Sequence, residues 1–133
     1  VIGSDDGKIY RLGPDGRLRW SVQTNGPVRA TPAVAENFTL FVGSFDGRLF
    51  ALSAEGNVLW THTTAGRIRA SAVIDAAGNV FVGGEDDFLY ALSADGRLLW
   101  QRNLGADIDS TGTITPEGLY VTGCDDGSIY ALR

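Results

Sequence analysis

The chain is poor in the residues on which most protein chemistry depends. Of its 133 residues one is cysteine and one is histidine, which excludes an internal disulfide and a thiolate-rich metal site. No apolar run approaches the ~18–20 residues that a membrane-spanning helix requires. The net charge is −5, and the lysines and arginines are scattered. The basic stripe with which a nucleic-acid binder neutralises phosphates is therefore missing. No segment sustains a helical period, and low-complexity tracts are absent because the glycines recur at fixed places. No leader peptide is visible, but the chain opens inside a repeat, so an upstream leader is not excluded.

What is present is repetition. Trp20, Trp60 and Trp100 lie 40 residues apart, each closing the same block of sequence. The blocks read VIGSDDGKIYRLGPDGRLRW, FVGSFDGRLFALSAEGNVLW and FVGGEDDFLYALSADGRLLW, and VTGCDDGSIYALR begins a fourth. One segment, 1–133, thus holds repeats 1–40, 41–80 and 81–120 and a partial copy, 121–133, about 3.3 in all. Turn signals cut each copy into four strands. Phe41-Val42 enters the Ser44–Gly47 turn, where glycine after aspartate accepts positive φ. Leu49–Leu52 is apolar at nearly every position, as in a strand buried on both faces. Ala54-Glu55-Gly56 turns into a third strand, Val58 to Thr63, and a looser stretch leads to a fourth, Arg69 to Ile74.

Four short strands per ~40 residues predict an all-β fold, a β-propeller built of four-stranded antiparallel blades. The fourth strand is expected innermost and the tryptophan strand outermost. The tryptophans are then wedges between blades, each ring buried with its N–H free to reach a carbonyl. The chain would begin at a second strand and end at a third, an incomplete ring, since closed propellers need at least ~4 blades. Either it is a piece of a larger propeller, the preferred reading, or a protomer that completes its ring by self-association.

Blocks of the form V-G-S-x-D-G-x-L-Y-A-L-S-A-x-G-x-x-x-W resemble the PQQ-like repeat, the blade unit named for pyrroloquinoline-quinone dehydrogenases. The WD40 pattern fits less well, with no Gly-His opening and no Trp-Asp closing the repeat. Quinoprotein dehydrogenases carry A-x-D-x-x-T-G-x-x-x-W and often a vicinal disulfide. Here the motif shortens to Ala91-Leu92-Ser93-Ala94-Asp95-Gly96-Arg97-Leu98-Leu99-Trp100, and the cysteine is single. That form is similar to the non-enzymatic branch, which includes outer-membrane assembly propellers and extracytoplasmic sensor propellers. The resemblance implies a non-catalytic binding scaffold with no cofactor, a protein partner, and a periplasmic or extracellular place in a bacterium. The alternative is a fragment of a quinoprotein oxidoreductase whose active-site residues lie in other blades.

Function is sought where the copies disagree. One repeat position reads Arg29, Arg69, Asp109, and another contrasts Arg67 with Asp107. These residues should start the inner strands and ring the channel mouth, the default ligand site of such a fold. The Ser4–Gly7, Ser44–Gly47, Gly84–Asp87 and Cys124–Gly127 turns emerge at the same end. They bring Asp5, Asp6, Asp46, Glu85, Asp86, Asp87, Asp125 and Asp126, read chiefly as shaping turns. Phe45 and Phe88 stand in or beside those turns, where other copies are polar, as partner anchors or as rings folded over a neighbour. Counting back across the Pro14-Asp15-Gly16 turn sets Tyr10 opposite Trp20, and Arg11 opposite Arg19 where other copies have Ala51 with Leu59 and Ala91 with Leu99. Arg11 and Arg19 are accordingly a candidate patch for an anionic partner, or else simply face solvent. His62 is expected to face solvent, and Cys124 to be a partly buried small residue.

Overall fold

The computed structural model describes residues 1–133 and contains no helix. Its strands form four separate antiparallel sheets. The first holds β1 (Ile2–Gly3), β2 (Lys8–Leu12) and β3 (Leu18–Gln23). The second holds β4 (Ala33–Val34), β5 (Leu40–Gly43), β6 (Arg48–Leu52) and β7 (Val58–Thr63). The third repeats it as β8 (Val73–Ile74), β9 (Val80–Gly83), β10 (Phe88–Leu92) and β11 (Leu98–Asn103). The fourth holds β12 (Thr113–Ile114), β13 (Tyr120–Gly123) and β14 (Ile129–Leu132). Each sheet is a meander, and the tryptophan strand is the outer edge wherever it is present. The architecture is an unclosed β-propeller, with two four-stranded blades flanked by two three-stranded ones.

Blades pack through alternate residues of their strands, because successive side chains leave a strand on opposite faces. Ile9, Trp20 and Val22 on the leading face of the first blade meet Leu40, Val42, Phe50 and Leu52 on the trailing face of the second. Phe41, Leu49, Ala51 and Trp60 then meet Val80, Val82, Tyr90 and Leu92. Leu89, Phe81 and Trp100 meet Tyr120, Tyr130 and Leu132. Strand β6 is accordingly buried on both faces from Leu49 to Leu52.

The tryptophans sit in these junctions. Trp20 Nε1 donates to the Ala54 carbonyl at 2.9 Å and Trp60 Nε1 to that of Ala94 at 3.0 Å, each across to the following blade. The rings lie so close to Gly56 and Gly96 that a Cβ there would meet ring carbon at 2.6 and 2.7 Å. Phe41 packs against Trp60 with ring centroids 5.6 Å apart, and Phe81 against Trp100 at 6.0 Å.

Two expectations are corrected. The register between the second and third strands of a blade shifts by one residue at a bulge. Arg11 lies opposite Trp20, not opposite Arg19, and Ala51 and Ala91 likewise lie opposite Trp60 and Trp100. A bulge adds one residue on one strand, which a count across the turn cannot register. The inner strand is also shorter than expected, Val73–Ile74 in place of Arg69 to Ile74. The amides of the preceding residues bond to turns and hydroxyls instead of to a neighbouring strand. Ile68 donates to the Ser44 carbonyl and Ser71 to Thr111 Oγ1.

Candidate functional site

The inner rim is built from three equivalent crossing segments, Thr24–Pro32, 64–72 and 104–112, which carry the chain from one outer strand to the next inner strand. Each is tied down at both sides. Val28, Ile68 and Ile108 donate to the Ser4, Ser44 and Gly84 carbonyls of the blade being left, at 2.9, 3.1 and 3.1 Å. Phe45, Glu85 and Asp125 of the blade being entered donate to the Pro27, Arg67 and Asp107 carbonyls at 2.9, 2.8 and 3.0 Å. The side chains of Val28, Ile68 and Ile108 are buried over Gly3, Gly43 and Gly83, where a Cβ would collide at 2.3 Å. A glycine is needed there because nothing larger leaves room for the segment. The flanking residues, 27 and 29 and their equivalents, belong to the rim surface.

The aspartates of the adjoining turns have mostly local duties. Oδ1 of Asp6, Asp46, Asp86 and Asp126 accepts the amide two residues on, closing each turn. Oδ2 of Asp46 and Asp86 also accepts the Asn25 and Ala65 amides at 2.9 Å, fastening the crossing segment. Asp87 takes the glycine position of its turn with φ of 69°. A further seam runs along the inner edge. The Thr31 amide donates to Ser71 Oγ at 2.8 Å, and the Ser71 amide to Thr111 Oγ1 at 3.0 Å. Hydroxyl residues 40 apart were the available signal for it, masked by the louder tryptophans.

Phe45 is the centre of the basic part of the rim. The guanidinium carbons of Arg29, Arg67 and Arg69 lie 5.3, 5.7 and 5.7 Å from its ring centroid, within cation–π range. Arg29 is committed to Asp5 through a two-point pair at 2.8 and 3.1 Å, and this holds the Asp5 carboxyl below its ordinary pKa. Arg69 reaches Asp109 at 3.1 Å and Glu85 at 3.7 Å. Arg67 is exposed and takes part in none of the five ion pairs of the chain. A shallow cleft of about 360 Å³ opens beside it, lined by Phe45, Asp46, Thr64 and Glu85 among others. A second hollow, about 290 Å³, lies at the other end between the turns around Asn37 and Ala77. Its lining combines Phe41, Ile74 and several alanines with Glu36 and Asp75, and no residue singled out by the repeat comparison borders it.

The rim changes sign toward the fourth blade. Partial burial, with the carboxylates of Asp109, Asp87, Asp125 and Asp86 nearby, raises the pKa of Asp107. Asp109 has Oδ2 on Arg69, while its Oδ1 is buried without a partner. The rim therefore presents a basic, aromatic patch at Phe45 next to an acidic one at Asp107.

The remaining candidates are placed elsewhere. Phe88 turns inward, half-buried, with its ring 6.1 Å from Tyr90, so the two phenylalanines do not share a surface. Arg11 enters the junction of the first two blades and donates to the Ala54 carbonyl that also serves Trp20. Arg19 pairs with Asp15 at 2.9 Å on the outer turn, and the two arginines do not meet. His62 does not face solvent as expected. It stacks edge-on to Tyr90 at 5.2 Å, with Nε2 buried and unpartnered, because the next blade covers it. Burial lowers its pKa, against a weaker opposing pull from Asp86. Cys124 is buried, with Sγ 3.4 Å from the Ala106 carbonyl.

Fold and rim together define an unclosed β-propeller whose inner rim changes in charge from copy to copy. The family model described as outer membrane protein assembly factor BamB matches residues 1–110 and 46–133. The chain belongs to this family. Its structure is similar to that of BamB from Moraxella catarrhalis, at 25% identity and a TM-score of 0.85, covering 98% of this chain and 44% of that one. The WD40 β-propeller domain of Doa1 matches in fold at 21% identity and a TM-score of 0.84, over 97% and 44% of the two chains. The computationally designed Ika4 protein matches at 19% identity and a TM-score of 0.85, over 98% and 82%. The chain thus spans less than half the length of the two natural propellers. No curated protein sequence matches it.

Proposed function

We propose that the chain is a non-catalytic scaffold that recognises a protein partner through its inner rim, outside the bacterial cytoplasm. The observation that carries this reading is Arg67, an exposed guanidinium with no carboxylate, held beside the Phe45 ring. Planar guanidinium and aromatic side chains are what protein interfaces are enriched in, and an Arg receives a carboxylate at two points. The neighbouring acidic patch gives a partner a second, oppositely charged foothold and fixes its orientation. Three independently anchored crossing segments make the rim a pre-organised surface, which lowers the entropic cost of binding. Membership of a family named for an outer-membrane protein assembly factor supports a role in such an assembly.

The test is capture by photo-crosslinking from a periplasmic extract, followed by titration of the captured partner. Arg67→Glu and Phe45→Ser should each weaken binding at least tenfold, about 1.4 kcal/mol. Glu36→Lys, at the opposite end, should not. Equal binding by all three variants would overturn the assignment of the rim.

A further inference from the structure

The first crossing segment passes close to the turn of the second blade at Gly26. A Cβ on Gly26 would lie 2.8 Å from the Asp46 nitrogen and 3.1 Å from the Phe45 carbonyl carbon, so the close approach calls for a glycine. The residue before it makes this glycine chemically consequential. Asn25-Gly26 is the one Asn-Gly pair of the sequence, and its equivalents read Ala65-Gly66 and Gly105-Ala106. With no side chain on Gly26, its amide nitrogen is open to the carboxamide that precedes it. Nor is that amide tied down: its contact with Thr24 Oγ1 is 3.5 Å, beyond ordinary hydrogen-bond length. Asn25 is exposed and held through its backbone, N donating to Asp46 Oδ2 at 2.9 Å, which leaves the side chain free to turn. The other asparagines precede Phe38, Val58, Val80 and Leu104, whose side chains crowd the amide. The side chains of Asn37, Asn57 and Asn79 are also engaged, by the Thr39 amide, Ser53 and Asp75.

We propose that Asn25 is a site of spontaneous deamidation, which loosens the rim as the protein ages. The Gly26 nitrogen attacks Cγ of Asn25 and the new bond closes a succinimide ring. The Cγ–Nδ2 bond breaks, and the proton from the Gly26 amide leaves with that nitrogen as ammonia. Water then opens the ring. Addition at Cγ restores the main chain with an aspartate at position 25. Addition at the α-carbonyl carbon leaves an isoaspartyl link, in which the main chain runs through Cγ. Nothing is oxidised or reduced: one water enters and one ammonia leaves. Either product adds a negative charge to a chain already at −5. The isoaspartyl link also lengthens the main chain by a methylene just before the Gly26 and Pro27 carbonyls. These accept from Thr24 Oγ1 at 2.7 Å and from the Phe45 amide at 2.9 Å. The second bond ties the crossing segment to the turn that carries Phe45. Its loss frees the ring on which Arg29, Arg67 and Arg69 converge.

The experiment incubates the folded chain in mildly alkaline buffers, followed by anion-exchange chromatography and peptide mass mapping. A more acidic species should accumulate in proportion to hydroxide concentration. Its mass change, OH in place of NH2, should be confined to the peptide that holds Asn25-Gly26, and part of it should accept a methyl group from an isoaspartyl methyltransferase. In the isolated isoaspartyl form, hydrogen exchange should speed up at the Phe45 amide and stay unchanged at Val42. Asn25→Ala installs the residue found at Ala65, whose amide makes the equivalent bond to Asp86 at 2.9 Å, so it should fold and yield no acidic species. Ala65→Asn places the same pair in the second crossing segment and should create a second reactive site. A folded chain whose Asn25 peptide stays unmodified overturns the proposal, as does an acidic species that persists in Asn25→Ala. Unchanged exchange at Phe45 in the isoaspartyl form would overturn the loosening of the rim.

Discussion

Replacing Gly96 by alanine tests whether the tryptophans hold the blades together. Gly96 has φ of +89°, and an added Cβ would sit 2.7 Å from Trp60 Cδ2 and 2.8 Å from Cγ. The left-handed backbone alone costs an L-residue ~1–2 kcal/mol. Displacing the ring adds an overpacking term of ~1–3 kcal/mol and weakens a hydrogen bond worth ~1 kcal/mol. The expected loss is therefore about 3–4 kcal/mol, a large share of the ~5–15 kcal/mol stability of a typical domain. Gly78→Ala is the matched control. Its φ is +85°, but the nearest foreign atom to its Cβ is that of Ala94 at an ordinary 3.7 Å. The chain itself places Phe38 at the equivalent position with φ of 65°, so backbone strain there is bearable. Only the ~1–2 kcal/mol of strain should appear. Urea unfolding followed by circular dichroism gives both values. If the two variants lose equal stability, the wedge has no energetic meaning. In the double variant Gly96→Ala with Trp60→Ala, the Gly96→Ala cost should fall back toward the control.

Other perturbations separate the roles of neighbouring residues. His62 is held neutral in the fold, so its contribution to stability is present above its unfolded pKa of ~6.5 and is lost as pH falls below it. Thermal melts from pH 7.5 to 5 should show this slope, and His62→Val should flatten it; an unchanged slope would show that other groups titrate. Arg11→Ala installs the residue found at Ala51, Ala91 and Ala131, and should change stability by no more than ~1 kcal/mol; a larger loss would give its bond to Ala54 a weight not expected here. Ser71→Ala removes the acceptor of the Thr31 amide, costing ~1 kcal/mol. Hydrogen exchange at Thr31 should speed up while that of β6 does not.

What the sequence made legible was whatever repeats. Turn glycines, apolar strands and tryptophans recur at one spacing, so blade order and the outer strand follow from pattern alone. The register failed because the bulge beside Trp20, Trp60 and Trp100 leaves no trace in composition. The length of the inner strand failed because Ile68, Ala70 and Ala72 alternate as a strand would, although their segment bonds to turns. His62 was misplaced because its cover, Tyr90, comes from another blade. Nor did Phe45 and Phe88, both candidates as exposed rings, behave alike, since only Phe45 has three arginines converging on it. The rim positions themselves, 27, 29 and 45 with their equivalents, stood out by disagreement between copies.

The crossing segments separate two demands that most binding surfaces must reconcile. Their middle residue is always a β-branched aliphatic, Val28, Ile68 or Ile108, sealed over a glycine. Its neighbours read Pro and Arg, Arg and Arg, or Asp and Asp. Each repeat thus contributes a short word to the rim, spelled by residues that do not bear on the seal beneath them. Drift or design can rewrite the words one blade at a time, and the array would go on folding while its message changed.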